Sequence, residues 1–288
     1  MPTNDDYELL DSGDGRKLER FGKYVLARPC SQAMWRPCKS GAEWNRADAS
    51  FDREDGNRWH GRGNLPKEWQ IETAGIRFKL GDTDFGHLGI FPEQRAQWRW
   101  LRNEVKARGD GGRRNLSVLN LFAYSGGSTM AAALGGAEVC HLDASKGMVE
   151  WARENARLNG LAERPIRWIV DDAHKFMKRE IRRGRTYDAI ILDPPTFGRG
   201  AGGEMYKIER DLKDTLGLVK DLLSEKPLFV LFSSHTPGLS QIVAENILSQ
   251  LFPQARLESG EMLLEPHPAS SGPHTLPCPS GIYCRAIF

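Results

Sequence analysis

A chain of 288 residues, 40% hydrophobic and 27% charged, is long for one domain, suits two, and can bury a sizeable core. No run of about 18 apolar residues marks a membrane span, and the opening Met-Pro-Thr-Asn-Asp-Asp lacks the basic and apolar parts of a secretory signal. The net charge of +2 says little alone, and five cysteines (Cys30, Cys38, Cys140, Cys278, Cys284) without a C-x-x-C pair suggest free thiols in a reducing cytoplasm rather than a zinc site.

Residues 1–66 are rich in Gly, Pro, Arg, Trp and Asp and show little periodicity. Within them 21–28 is short and strand-like, and 52–66 reads as a loop. The alternation of 69–80 about Ala74-Gly75 predicts a hairpin. Phe91-Pro92 then opens a helix to about 108, proline being suited to a first turn. On that helix Arg95, Arg99, Arg102 and Lys106 share one face, and Trp98, Leu101 and Val105 share another. Residues 109–114 read as a linker.

From Leu116 strands and helices alternate. Strands are expected at 117–123, 138–142, 166–170, 187–192, 228–233, 255–264 and 281–288. Helices are expected at 127–134, 146–159, 173–183, 211–223 and 239–251. The alternation predicts an α/β fold, a mostly parallel sheet covered on both faces, closed by an antiparallel hairpin. A second basic group, Lys178, Arg179, Arg182, Arg183 and Arg185, is interrupted by Glu180. Each basic group reads equally as a solvated helix face or as a track for phosphates.

In such sheets ligands bind beyond the carboxyl ends of the strands, near the point where strand order reverses. Four motifs fall at such ends. Tyr124-Ser-Gly-Gly-Ser-Thr129 follows the first strand of the alternation, and Gly126 and Gly127 would let backbone approach a ligand closely. The pattern is neither G-x-G-x-x-G nor a P-loop. Asp143 ends the second strand, where a carboxylate can accept both hydroxyls of a ribose or, with Ser145, cap a helix. Asp171-Asp172-Ala173 ends the third, with adenine recognition and helix capping as rival roles. Asp193-Pro-Pro-Thr-Phe197 ends the fourth. Its prolines fix φ and remove two N–H donors, Asp193 adds an anionic acceptor, and Phe197 offers a face on which a base can stack.

The set resembles class I S-adenosylmethionine-dependent methyltransferases, and among them the large-subunit ribosomal RNA base methyltransferases. Phe85-Gly-His-Leu-Gly-Ile-Phe-Pro-Glu-Gln-Arg95, Asn120-Leu-Phe-Ala-Tyr-Ser-Gly-Gly127, Trp151-Ala-Arg-Glu-Asn-Ala-Arg-Leu-Asn-Gly160, Asp193-Pro-Pro-Thr-Phe197 and Gly281-Ile-Tyr-Cys-Arg285 carry the resemblance, which covers about 70–288. It implies a Rossmann-like, seven-stranded domain at 115–288, after a small β-rich domain at 1–84 and a connecting helix and linker at 85–114. It implies S-adenosyl-L-methionine as cofactor, S-adenosyl-L-homocysteine as product, and cofactor contacts from Gln94, Arg95, Phe122, Tyr124, Ser125, Gly126, Gly127, Asp143, Ala144, Ser145, Asp172 and Ala173. The implied catalytic group is Asp193, Pro194, Phe197 and Ser234.

Two departures bear on the substrate. Cytosine-C5 enzymes of the group resemble Phe-Ser-Cys-Ser after the fifth strand, whereas this chain has Phe232-Ser-Ser-His235, with Ser234 in place of the thiol. An alkoxide is not accessible near neutral pH without an activating base, and His235, as the next strand residue, is expected to point to the opposite face. Guanine N7 needs no proton removed, and the Thr-Phe ending of the proline loop is similar to the guanine-N7 enzymes. Residues 1–66 do not read as the RNA-binding PUA module. The expectation is a cytoplasmic methyltransferase acting on guanine N7 or cytosine C5 of structured, ribosomal RNA, without metal or membrane, as monomer or homodimer. The rivals are a protein or small-molecule methyltransferase and a non-catalytic RNA-binding protein that retains the fold.

Overall fold

The computed structural model describes residues 5–53, 55–111, 116–199, 203, 205–266 and 275–288. Residues 112–114 of the expected linker lie outside them. The chain divides into two compact units, Met1–Arg95 with Met262–Ser280, and Ala96–Glu261 with Gly281–Phe288.

The first unit holds β1 (Tyr7–Gly13), β2 (Arg16–Phe21), β3 (Tyr24–Pro29), α1 (Gly41–Trp44), β4 (Ala49–Asp52), β5 (Arg58–His60), β6 (Trp69–Thr73) and β7 (Ile76–Leu80). Strands β1 to β5 form one sheet in chain order, and β6 and β7 form the expected hairpin. The reading of 1–66 recognised one of these five sheet strands and took β5 for loop. Buried charges break the alternation in β1 and β2, and β4 and β5, at four and three residues, are too short to show one. Glu19, fully buried in β2, accepts from Tyr7 Oη at 2.9 Å and Arg28 Nε at 2.8 Å and pairs with Lys17 at 3.3 Å. Asp11, also fully buried, accepts the Cys38 and Lys39 N–H groups and Trp44 Nε1. Such groups tolerate burial because their lone pairs are met.

The second unit takes α2 (Arg95–Asp110) from its second residue onward, then β8 (Ser117–Leu121), α3 (Gly127–Leu134), β9 (Glu138–Asp143), α4 (Lys146–Leu158), β10 (Ile166–Val170), α5 (Ala173–Arg182), β11 (Ala189–Leu192), β12 (Phe197–Arg199), β13 (Met205–Lys207), α6 (Ile208–Asp221), β14 (Phe229–Ser234) and α7 (Gln241–Leu251). The closing strands, β15 (Arg256–Leu264) and β16 (Cys278–Ile287), run across the division in sequence. The sheet order is β10-β9-β8-β11-β14-β16-β15, parallel from β10 to β14, with β16 antiparallel to β14. This is the seven-stranded, mostly parallel architecture expected from the alternation. Every residue of β11 and β14 is buried, as strands covered on both faces must be. The small pair β12–β13 was not expected, because two three-residue strands are too short to show a period.

On α2, Trp98, Leu101 and Val105 are buried while Arg99, Arg102 and Lys106 are exposed, as the spacing requires. The second basic group is partly diverted. Glu180, fully buried, accepts from Arg167 at 2.7 and 3.2 Å and from Tyr187 Oη at 2.8 Å, and it pairs with Arg183 at 3.3 Å and Arg185 at 3.8 Å. Arg179 is bound to Asp171. Arg183 and Arg185 thus meet a buried acid, although both side chains stay more than half exposed. Among the described residues no helix is long and apolar enough to cross a membrane.

Candidate functional site

The parallel register places the four motifs on one edge. Val170 pairs with Asp143, Leu121 with Leu142 and Leu192, and Leu192 with Phe232. The residues that follow these positions all leave the sheet at its carboxyl edge. Strand order reverses between β8 and β11, which is where a ligand crevice is expected.

The turn after β8 is strained. Phe122 and Tyr124 adopt φ of 55° and 50°, and Gly126 adopts 90°. Left-handed backbone at bulky residues costs about 1–3 kcal/mol each and persists where surrounding structure imposes it. Three hydrogen bonds do so here. Ala123 N–H donates to the Leu142 carbonyl at 3.0 Å, Tyr124 N–H to Asp143 Oδ2 at 2.8 Å, and Asn155 Nδ2 to the Ser125 carbonyl at 2.9 Å. The glycines answer to packing. A Cβ on Gly126 would stand 3.1 Å from Ala152 Cβ, and one on Gly127 would stand 2.5 Å from Trp98 Cζ2. The side-chain space beside Gly127 is thus filled by the indole.

Asp143 is anchored at both oxygens, since Oδ1 accepts the Ser145 N–H at 2.8 Å. Each oxygen retains a second lone pair for a hydroxyl donor. Burial pushes this carboxyl above the ordinary aspartate range, opposed by its two backbone donors. Ala144 is half-buried beside it, and Ser145 caps α4 by accepting from Met148 N–H at 3.4 Å. The capping role therefore falls to Ser145. Asp172 caps α5 through Oδ1, which accepts the Lys175 N–H at 2.9 Å, and Ala173 is buried in the first turn.

After β11, Asp193 is partly exposed, Pro194 buried and Phe197 53% exposed. Phe197 opens β12, opposite Lys207. Ser234 is 1% exposed, and its Oγ accepts the Thr236 N–H at 3.2 Å, so the hydroxyl shapes a turn. His235, which follows the last residue of β14, sets its Nδ1 3.4 Å from Asp193 Oδ1. Thr196 and Thr236 join the same two segments through their hydroxyls at 2.8 Å.

Three residues at this edge escaped the sequence reading of the site. Asn155 was in a quoted motif without a role, and His235 was dismissed on strand geometry. Tyr206 had no signal at all. Its ring lies 5.3 Å from Phe122 and 6.0 Å from His174, so it links the strained turn, α5 and the hairpin after the proline loop. Burial pushes its phenol up to about 12. Gln94 and Arg95 belong to the first unit. Gln94 is buried in the short 3-10 turn Pro92–Gln94, and Arg95 pairs with Asp5 at 3.2 Å and lies 4.6 Å over the Tyr7 ring.

Residues 48–229 match the family model described as S-adenosylmethionine-dependent methyltransferase. The chain is 25% identical over 310 residues to ribosomal RNA large subunit methyltransferase I of Escherichia coli O139:H28, spanning 98% of this chain and 74% of that protein. It is 34% identical over 155 residues to ribosomal RNA large subunit methyltransferase K/L of Shewanella frigidimarina, spanning 53% of this chain and 20% of that one. A crystal structure of the SAM-dependent methyltransferase from Agrobacterium tumefaciens superposes with a TM-score of 0.90 at 38% identity, covering 98% of this chain and 90% of that one.

Proposed function

Since the chain belongs to the S-adenosylmethionine-dependent methyltransferases, we propose that it methylates a base of structured RNA, with large-subunit ribosomal RNA as the substrate and the cytoplasm as its place of work. The observation that carries this reading is the Asp193–Phe197 loop at the carboxyl edge, which carries an anionic acceptor at its start and an aromatic ring that is 53% exposed at its end. The names of the E. coli and Shewanella relatives lend it support.

The residues at the edge fit the cofactor. S-adenosylmethionine supplies a methyl group on a sulfonium centre. Asp143 retains lone pairs for ribose hydroxyls, and the Asp172 carboxylate stands at the adjacent strand end. Phe122, Tyr124 and Ser125, held by Asn155 and Asp143, would line the approach. Asp193 and Phe197 would orient the acceptor base, which must be flipped out if it is stacked or paired. Positioning is the main contribution, because direct attack by a ring lone pair on the methyl carbon needs little else.

Guanine N7 is the preferred acceptor over cytosine C5. Carbon attack requires a nucleophile on the ring, and Ser234 is sealed at 1% exposure with its oxygen turned to a backbone N–H. The test is tritium transfer from methyl-labelled cofactor to ribosomal RNA from cells lacking the enzyme, followed by nucleoside mass spectrometry. Label in 7-methylguanosine that disappears with Asp193→Ala is expected. Equal labelling by wild type and that variant sinks the role given to Asp193, and label in 5-methylcytidine sinks the choice of atom.

A further inference from the structure

We propose that His235 is a positioning residue for methyl transfer, whose Nδ1–H holds the Asp193 carboxylate in the orientation that meets the acceptor. This rests on the reading of Asp193 as an acceptor-facing group. Strands β11 and β14 are parallel neighbours with Leu192 opposite Phe232, so their continuations leave the sheet side by side. The Ser234 hydroxyl turns the chain at once by accepting the Thr236 N–H. That turn carries His235 across to Asp193, with Nδ1 3.4 Å from Oδ1.

A plain structural staple is the rival account, and two observations weigh against it. The same two segments are already joined by the Thr196 and Thr236 hydroxyls at 2.8 Å, a neutral link that needs no ionisable partner. The imidazole and carboxylate side chains are 30% and 26% exposed, and ion pairs in contact with water add little to stability. What such a pair does fix is the plane of a carboxylate and the tautomer of an imidazole. Nδ1 stands 3.4 Å from Oδ1 without meeting hydrogen-bond geometry in this structure, and apo contacts of this kind often tighten into a hydrogen bond in the complex.

Two measurements on the full chain test it. The first needs no substrate. In protein labelled with 15N-histidine, the His235 signals are assigned by their loss in His235→Asn, and Nδ1 is expected to carry a proton. A ring protonated at Nε2 alone overturns the proposal whatever the acceptor proves to be. The second is the transfer assay. His235→Ala is expected to lower kcat about 10–100-fold, the scale of a misplaced reacting group, with the KM for S-adenosylmethionine within about twofold. His235→Asn puts an amide nitrogen where Nδ1 stood and should recover most of the loss, whereas His235→Gln, whose nitrogen reaches the Nε2 position, should not. Unchanged turnover in His235→Ala overturns the proposal. So does an asparagine variant no better than alanine when both melt as wild type does. Asp193→Ala run alongside separates the two ideas. If it transfers normally, the reading of Asp193 itself fails, whereas an inactive Asp193→Ala beside a fully active His235→Ala refutes the positioning role alone.

Discussion

Gly127→Ala distinguishes a glycine kept for packing from one kept for a ligand. The missing Cβ would stand 2.5, 2.6 and 2.9 Å from Trp98 Cζ2, Cε2 and Nε1. Comfortable carbon contacts lie at about 3.5–4.0 Å, so the indole must retreat by roughly 1 Å. Trp98 is 4% exposed and has little room to move. Overpacking of this kind costs about 1–3 kcal/mol. The backbone at Gly127 is already helical, so alanine's helix preference offsets about 1 kcal/mol, leaving a net loss of up to about 2. For a folding unit of 150–250 residues that lowers Tm by up to about 8 °C. Differential scanning calorimetry reads the shift, and titration calorimetry reads S-adenosylmethionine affinity, which should stay near wild type. Adding Trp98→Leu should give a combined loss smaller than the sum of the two single losses, because the clash disappears. A Gly127→Ala protein that melts with wild type but binds cofactor weakly would refute this reasoning and restore the ligand-approach reading.

Asp143 carries a pH prediction. Its folded pKa is raised, so on acidification its charged form is lost earlier than that of an ordinary aspartate. Cofactor affinity should therefore fall as pH drops through that raised value, and Asp143→Asn should weaken binding about 10–100-fold and flatten the dependence; a variant that binds as tightly as wild type removes the ribose role. The exposed face of α2 should matter for RNA. Reversing Arg99, Arg102 and Lys106 to glutamate should weaken binding and reduce the salt slope by about 2–3, and an unchanged slope makes the face a solvated one. Cys30, with Cys278 Sγ 2.9 Å away, is lowered to about 7 first by that thiol contact and then by Lys17, so its alkylation should accelerate between pH 6 and 8. Cys278→Ala, which removes that donor, should move the rise to higher pH, and an unmoved profile excludes the contact as its cause.

The sequence by itself determined the second unit. Buried β11 and β14 read as apolar runs, the helices carry regular faces, and the spacing of Asp143, Asp172 and Asp193 follows from one acid closing each strand. Local patterns suffice there because strand and helix periods are properties of neighbouring residues. Tertiary structure alone decided the rest. Four of the five sheet strands in the first unit stay hidden in sequence: β1 and β2 because Asp11 and Glu19 are buried with partners distant along the chain, which no local pattern records, and β4 and β5 because four and three residues are too few to show a period. It also decided that Gly127 makes room for Trp98, that Glu180 draws in Arg183 and Arg185 of a basic cluster, and that Ser234 serves a turn. Above all it brought His235 to Asp193. The two are 42 positions apart in sequence and meet only because β11 and β14 are neighbours in a parallel sheet.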